Sequence, residues 1–133
     1  MNNIDYIRES LVFEGLDKKT LLELAARAQA VELHSGQVLY RYGDQGSDLF
    51  IVASGRLHLS APEQPAPGSL SHTSATERFV AEVGRGESIG KVGFITGGRR
   101  TVTARAIRDT VLIKLSKTDI ETALMQHPAS MMR

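Results

Sequence analysis

The sequence predicts a mainly β domain, a β-roll or β-sandwich with helices at both ends. Three observations carry this expectation. Across residues 31–115 the apolar positions recur with a period of two, in short runs separated by glycine turns. Residues 1–30 and 116–133 follow the helical period instead. The chain's 133 residues are enough for one domain with a real core and too few for two, so residues 1–133 are read as one domain.

Each element has its own signal. Ile4, Ile7 and Leu11 fall on one helical face, with Asn3 available as N-cap. Asp17 can cap a second helix whose apolar face is Leu21, Leu22, Leu24, Ala25 and Ala28. Residues 11–16 between them form a short hydrophobic turn. Val31 and Leu33 suggest a first strand, Ser35-Gly36 a turn, and residues 38–42 a second strand. Gly43, Gly46 and Gly55 are read as turn glycines around a buried strand at residues 49–53. Residues 56–60 continue as a strand with Leu57 and Leu59 facing one way. Residues 61–76 are rich in Pro, Ser and Thr, so they are expected to stay out of sheet and core as an exposed, mobile hairpin loop. Strands resume at residues 77–83, 101–107 and 110–115. Ser116 opens a last helix, with Asp119 completing a capping-box pattern, and Leu124, Met125, Met131 and Met132 are apolar.

Composition narrows the function. Aromatic residues make up only 5% of the chain, so the core must be aliphatic. Lys and Arg number 16 against 15 Asp and Glu, a balance that argues against a general nucleic-acid or membrane-surface binder. The absence of cysteine excludes thiolate catalysis, disulfides and cysteine zinc sites. His34, His58, His72 and His127 are scattered without paired spacing, so no metal site is expected. The N-terminus lacks the pattern of a signal peptide and no apolar run is long enough to span a bilayer, which favours a cytoplasmic chain. Gly86-Glu87-Ser88-Ile89-Gly90 fits the nucleophile-elbow pattern, and Asp109, Asp119 and His127 follow it in hydrolase order. That elbow needs a parallel α/β sheet, which this pattern does not predict, so no catalytic residue is assigned.

The richest segment is residues 86–104, glycine-dense and carrying Arg99 and Arg100 just before a β pattern. Glycines allow backbone N–H groups to turn toward an anion, and a fixed arginine can grip it with two donors. Arg105 and Arg108 lie nearby and read as solvated strand residues.

The helix, β-roll, helix order resembles the cyclic nucleotide-binding domain family, which includes catabolite-activator-type regulators and protein kinase A regulatory subunits. Residues 43–52 are similar to that family's second hairpin, and Ser54-Gly55-Arg56-Leu57 to the turn that follows. Residues 89–104 resemble its phosphate-binding cassette. The resemblance implies a double-stranded β-helix, or jelly-roll β-roll. It also implies ligand-binding roles for Gly90, Lys91, Val92, Gly93, Arg100 and Thr101. Gly90 falls on the cassette glycine and Gly93 on a small residue whose amide meets the phosphate. Arg100 falls on the arginine that pairs with the cyclic phosphate, and Thr101 on the small residue after it. Arg99 competes for that place, but Arg100 gives the better strand register. Lys91 departs from the pattern, because the family usually has a glutamate there to accept from the ribose 2′-hydroxyl. Lysine cannot accept, and a charged hydrogen bond of this kind is worth roughly 1.5–3 kcal/mol.

The resemblance therefore implies a regulatory, non-catalytic domain for cyclic AMP, cyclic GMP or a related anion. It implies no further cofactor, no direct nucleic-acid partner and a neighbouring domain of the same polypeptide as effector, and it admits a homodimer. Residues that would close over the base are expected beyond Arg133, in a longer protein. The segments 93–98 and 107–115 are similar to regulatory domains attached to bacterial patatin-like phospholipases, relatives of neuropathy target esterase. A ligand-free interaction module and the sensor of a catabolite-activator-type transcription regulator are the alternatives.

Overall fold

The computed structural model describes residues 3–10, 13–63, 77–91 and 98–126. The expectations for Leu11, residues 64–76, Val92, Gly93, His127 and the closing methionines lie outside the described residues. Two helices, α1 (Asn3–Glu9) and α2 (Lys18–Arg27), open the fold. Helix α1 begins on Asn3 itself, so Asn3 is in the first turn and is not its cap. Asp17 does cap α2, its carboxylate accepting from the Thr20 N–H at 2.8 Å.

Among the described residues eight strands follow: β1 (Gln29–Leu33), β2 (Val38–Tyr40), β3 (Leu49–Ser54), β4 (Arg56–Pro62), β5 (Glu77–Gly84), β6 (Ser88–Ile89), β7 (Thr103–Ala106) and β8 (Thr110–Leu115). They form two antiparallel sheets, one in the order β1-β8-β3-β6 and the other β2-β7-β4-β5. This is the mainly β architecture with flanking helices that the alternating pattern predicts. Helix α3 (Lys117–Gln126) closes it, with the Ser116 hydroxyl accepting from the Asp119 N–H at 3.0 Å.

Strand β3 explains the layering. It is apolar on both faces because it separates two cores. Leu49, Ile51 and Ala53 pack with Ile113 and Leu115 of β8 against Ile7, Leu21, Leu24 and Ile120 of the helices. Phe50 and Val52 point the other way, into the space between the sheets, with Leu57, Ala104, Ala106 and Leu112. Period two thus divides one strand between a helix-side core and an inter-sheet core.

Three expectations change. Residues 61–76 were expected outside sheet and core, yet Ala61 is buried and Ala61 and Pro62 pair with Arg78 and Glu77 of β5. The pairing of β4 with β7 ends at Ser60, so Pro62 sits where no β7 partner needs its missing N–H. The strand expected from residue 101 begins at Thr103, because Thr101 and Val102 bend around the site. The two-residue β6, absent from the sequence reading, pairs Ile89 with Phe50 and Ser88 with Ile51. That antiparallel pairing gives Ser88 a setting unlike a nucleophile elbow in a parallel sheet.

Candidate functional site

The site is built around Arg100. Its backbone is clamped to the turn after β2, donating from N–H to the Asp44 carbonyl at 2.7 Å and accepting from the Gly43 N–H at 2.8 Å. A single bridge between Gln45 and Arg99 sits beside this clamp. Extended backbone sends adjacent side chains to opposite sides. Arg99 points out and donates to the Gly43 carbonyl at 2.9 Å, while Arg100 turns inward and is only 5% exposed.

Inside, the guanidinium lies 4.3 Å from the centre of the Tyr40 ring and 5.8 Å from that of Phe50. Its Nη2 donates to the Asp48 carbonyl at 3.1 Å. Its Nη1 is buried and has no partner among the described residues. The Asp48 carboxylate is turned away, 3.6 Å from Lys114 Nζ. Among the described residues, a buried cation is thus balanced by two aromatic faces and one carbonyl, with no carboxylate against it. Ring contacts of this kind return about 2 kcal/mol when desolvated, less than the several kcal/mol that burying an ion costs. The bare Nη1 is a further unmet donor, and an anion that accepted from it would supply both the charge and the bond.

Two glycines let the guanidinium lie where it does. A Cβ on Gly90 would stand 2.8 Å from Nη1 and 2.6 Å from the Asp48 carbonyl, and its φ of +93° suits glycine in any case. A Cβ on Gly46 would stand 2.8 Å from Nε. Gly46 is therefore more than the turn residue expected of it: it makes room for the arginine. Burial pushes the Tyr40 phenol above its ordinary value of 10.0, while the charge of Arg100 pulls the other way and does not cancel it.

Above Arg100 opens a cavity of about 240 Å³. Arg100 and Tyr40 line it together with Gly90, Lys91 and Thr101, and Leu59, Val83, Ile89 and Val102 make its apolar part. Ser88 adds a hydroxyl, which like that of Thr101 can both donate and accept. Four of the six expected ligand residues, Gly90, Lys91, Arg100 and Thr101, thus line one cavity, and Val92 and Gly93 lie outside the described residues. The sequence reading missed Tyr40, Gly46, Ser88 and the Asp48 carbonyl. A carbonyl carries no side-chain signature. Tyr40 lies past a shift in the β2–β7 register and packs on the inter-sheet core beside its neighbour Leu39, so alternation along the strand does not reveal it.

Comparison with known proteins agrees with this architecture. The family model described as the cyclic nucleotide-binding domain matches residues 30–127. A lysophospholipase of Neurospora crassa is 36% identical over 110 residues, covering 83% of this chain and 7% of that protein. The chain therefore spans a small fraction of that relative's length. Among solved structures, the N-terminal domain of a transcriptional regulator from Streptomyces coelicolor superposes with a TM-score of 0.82 at 28% identity, covering 96% of this chain and 83% of that one. The regulatory domain of Toxoplasma gondii protein kinase A, crystallised with cyclic AMP, gives 0.76 at 26% identity, covering 91% of this chain and 42% of that one. A family match over most of the chain, on a fold these structures share, makes this protein a member of the cyclic nucleotide-binding domain family.

Proposed function

We propose that this domain is a regulatory sensor which takes a cyclic nucleotide, or a related phosphate anion, into the cavity above Arg100. The observation that carries this reading is the buried Nη1 of Arg100, a donor without a partner among the described residues, on an arginine that lines the cavity. Arg100 would pair with the phosphate, and the backbone at Gly90, Val92, Gly93 and Thr101 would present amides to it. Lys91 would stand at the rim, where it can donate to a sugar hydroxyl or add to the attraction for the phosphate, but cannot accept. The apolar part of the cavity would take part of the base. The domain itself catalyses nothing. Its effector would be a neighbouring domain of the same polypeptide, and the resemblance to lysophospholipases makes a phospholipase or esterase the favoured one. Cytoplasmic placement fits an intracellular second messenger.

Calorimetry with cyclic AMP and cyclic GMP at high ligand concentration tests the reading. Heat of binding is expected for the unaltered domain and should vanish in Arg100→Ala, provided circular dichroism shows that the variant stays folded. Lys91 favours one second reading, a degenerate site in an interaction module that holds no nucleotide. In that case neither nucleotide gives heat, and Lys91→Glu restores binding if the site decayed at that residue alone.

A further inference from the structure

We propose that Lys91 tunes the cavity for ligands carrying two negative charges, of the phosphate monoester class, over the singly charged cyclic diester. This deepens the proposed function and rests on that reading of the cavity.

Among the described residues the cavity is doubly cationic and has no opposing acid. Arg100 and Lys91 both line it, and no Asp or Glu is among its described lining residues. Residues 92–97, which follow Lys91, contain no acid either. Two acids that adjoin the site, Asp48 by its carbonyl to Arg100 and Glu87 as the residue before Ser88, are occupied elsewhere. Asp48 directs its carboxylate to Lys114, and Glu87 accepts from the Gly84 N–H at 3.0 Å. Lys91 is exposed and is not among the residues in ion pairs, so its charge is free of a close acidic partner among the described residues. Its backbone adjoins the glycine that lies against the bare donor. Gly90 is packed so tightly against Arg100 that a Cβ there would lie 2.8 Å from Nη1, and Lys91 is the next residue along the chain.

The consequence is a mismatch of charge. A cyclic phosphate diester carries one negative charge, and Arg100 alone can meet it. An acyclic monoester carries nearly two at neutral pH, and it presents more terminal oxygens for a second donor. A lysine is a compact charge on a flexible stem with three donors, suited to reaching such a group from the rim. An acceptor at position 91 would favour a neutral hydroxyl, whereas the lysine favours a second anionic charge.

The test compares cyclic AMP, adenosine 5′-monophosphate and inorganic phosphate by calorimetry on the unaltered domain, Lys91→Gln and Lys91→Glu. Adenosine 5′-monophosphate is expected to bind the unaltered domain about ten-fold more tightly than cyclic AMP, the size of one charge-assisted hydrogen bond. The preference should fall to near parity in Lys91→Gln and invert in Lys91→Glu. Tighter binding of cyclic AMP, or a preference that Lys91→Gln leaves unchanged, overturns this inference and leaves the cavity as a nucleotide site. Absence of binding by all three probes overturns both.

Discussion

Gly46 and Gly90 are both glycines against the same guanidinium, but what they meet is different. The three atoms a Cβ at position 46 would meet first all belong to the end of the Arg100 side chain. The guanidinium can give way, so Gly46→Ala is expected to cost about 1–2 kcal/mol and to misplace the arginine. At position 90 the Cβ also meets a backbone carbonyl, Asp48 O at 2.6 Å, in a residue with φ of +93°. Neither can yield without moving the chain, so Gly90→Ala should cost about 3 kcal/mol or more. Urea titration of the two variants checks the order, and an equal loss would contradict it. Tyr40 supplies a prediction in pH. Its phenol is held above 10.0 chiefly by burial, so the folded state prefers the neutral form. The folded protein then keeps its proton where the unfolded chain has begun to lose it. The contribution is complete below the ordinary value, and it is lost as pH rises through 10.0 toward the folded value. Stability measured across the alkaline range should fall, and Tyr40→Phe should flatten that part of the decline. A profile unchanged by the substitution would show that Tyr40 does not carry it.

The elements differ in how openly the sequence declares them. Strand β8 was legible to the residue, because its apolar run lies between Asp109 and Ser116, two residues that favour turns and caps. Strand β3 was legible as an unbroken apolar run, and its burial on both faces explains why it shows no alternation. Strand β6 was not legible, since two residues carry no period and their pairing depends on the edge of β3. The end of β4 was hidden by Pro62, whose tolerance there depends on where β7 stops. The same division applies to the site. The sequence already favoured Arg100 over Arg99 on strand register, whereas the room that Gly46 leaves is a property of two chain segments brought together. Local signals also set local energies. Asp17→Ala removes the acceptor that caps α2 and should cost about 1 kcal/mol. Leu115→Ala opens the fully buried helix-side core and should cost about 2–5 kcal/mol. Denaturant unfolding of both variants checks this ranking, and a cap loss equal to the core loss would refute it.

At the scale of the molecule, the question is how occupancy of the cavity could reach the helices on the far side of a sheet. Strand β3 offers a physical route. Phe50 lies beneath the Arg100 guanidinium, while its neighbours Leu49 and Ile51 are buried against the helix-side core. Asp48, immediately before them, holds Arg100 by its carbonyl and faces Lys114 of β8 by its carboxylate. An anion that drew the guanidinium toward itself would load the start of β3, and the helices pack on that strand's other face. Such a ligand can shift the helices only if it binds one of their arrangements more tightly than another. Hydrogen exchange measured with and without saturating nucleotide tests this coupling. Amides of β3 should gain protection, and those of α1, α2 and α3 should change with them. Arg100→Ala should abolish both responses. If protection changes around the cavity while all three helices stay as they were, the domain binds without signalling through them. The regulatory part of the proposal would then fail even though the site is real.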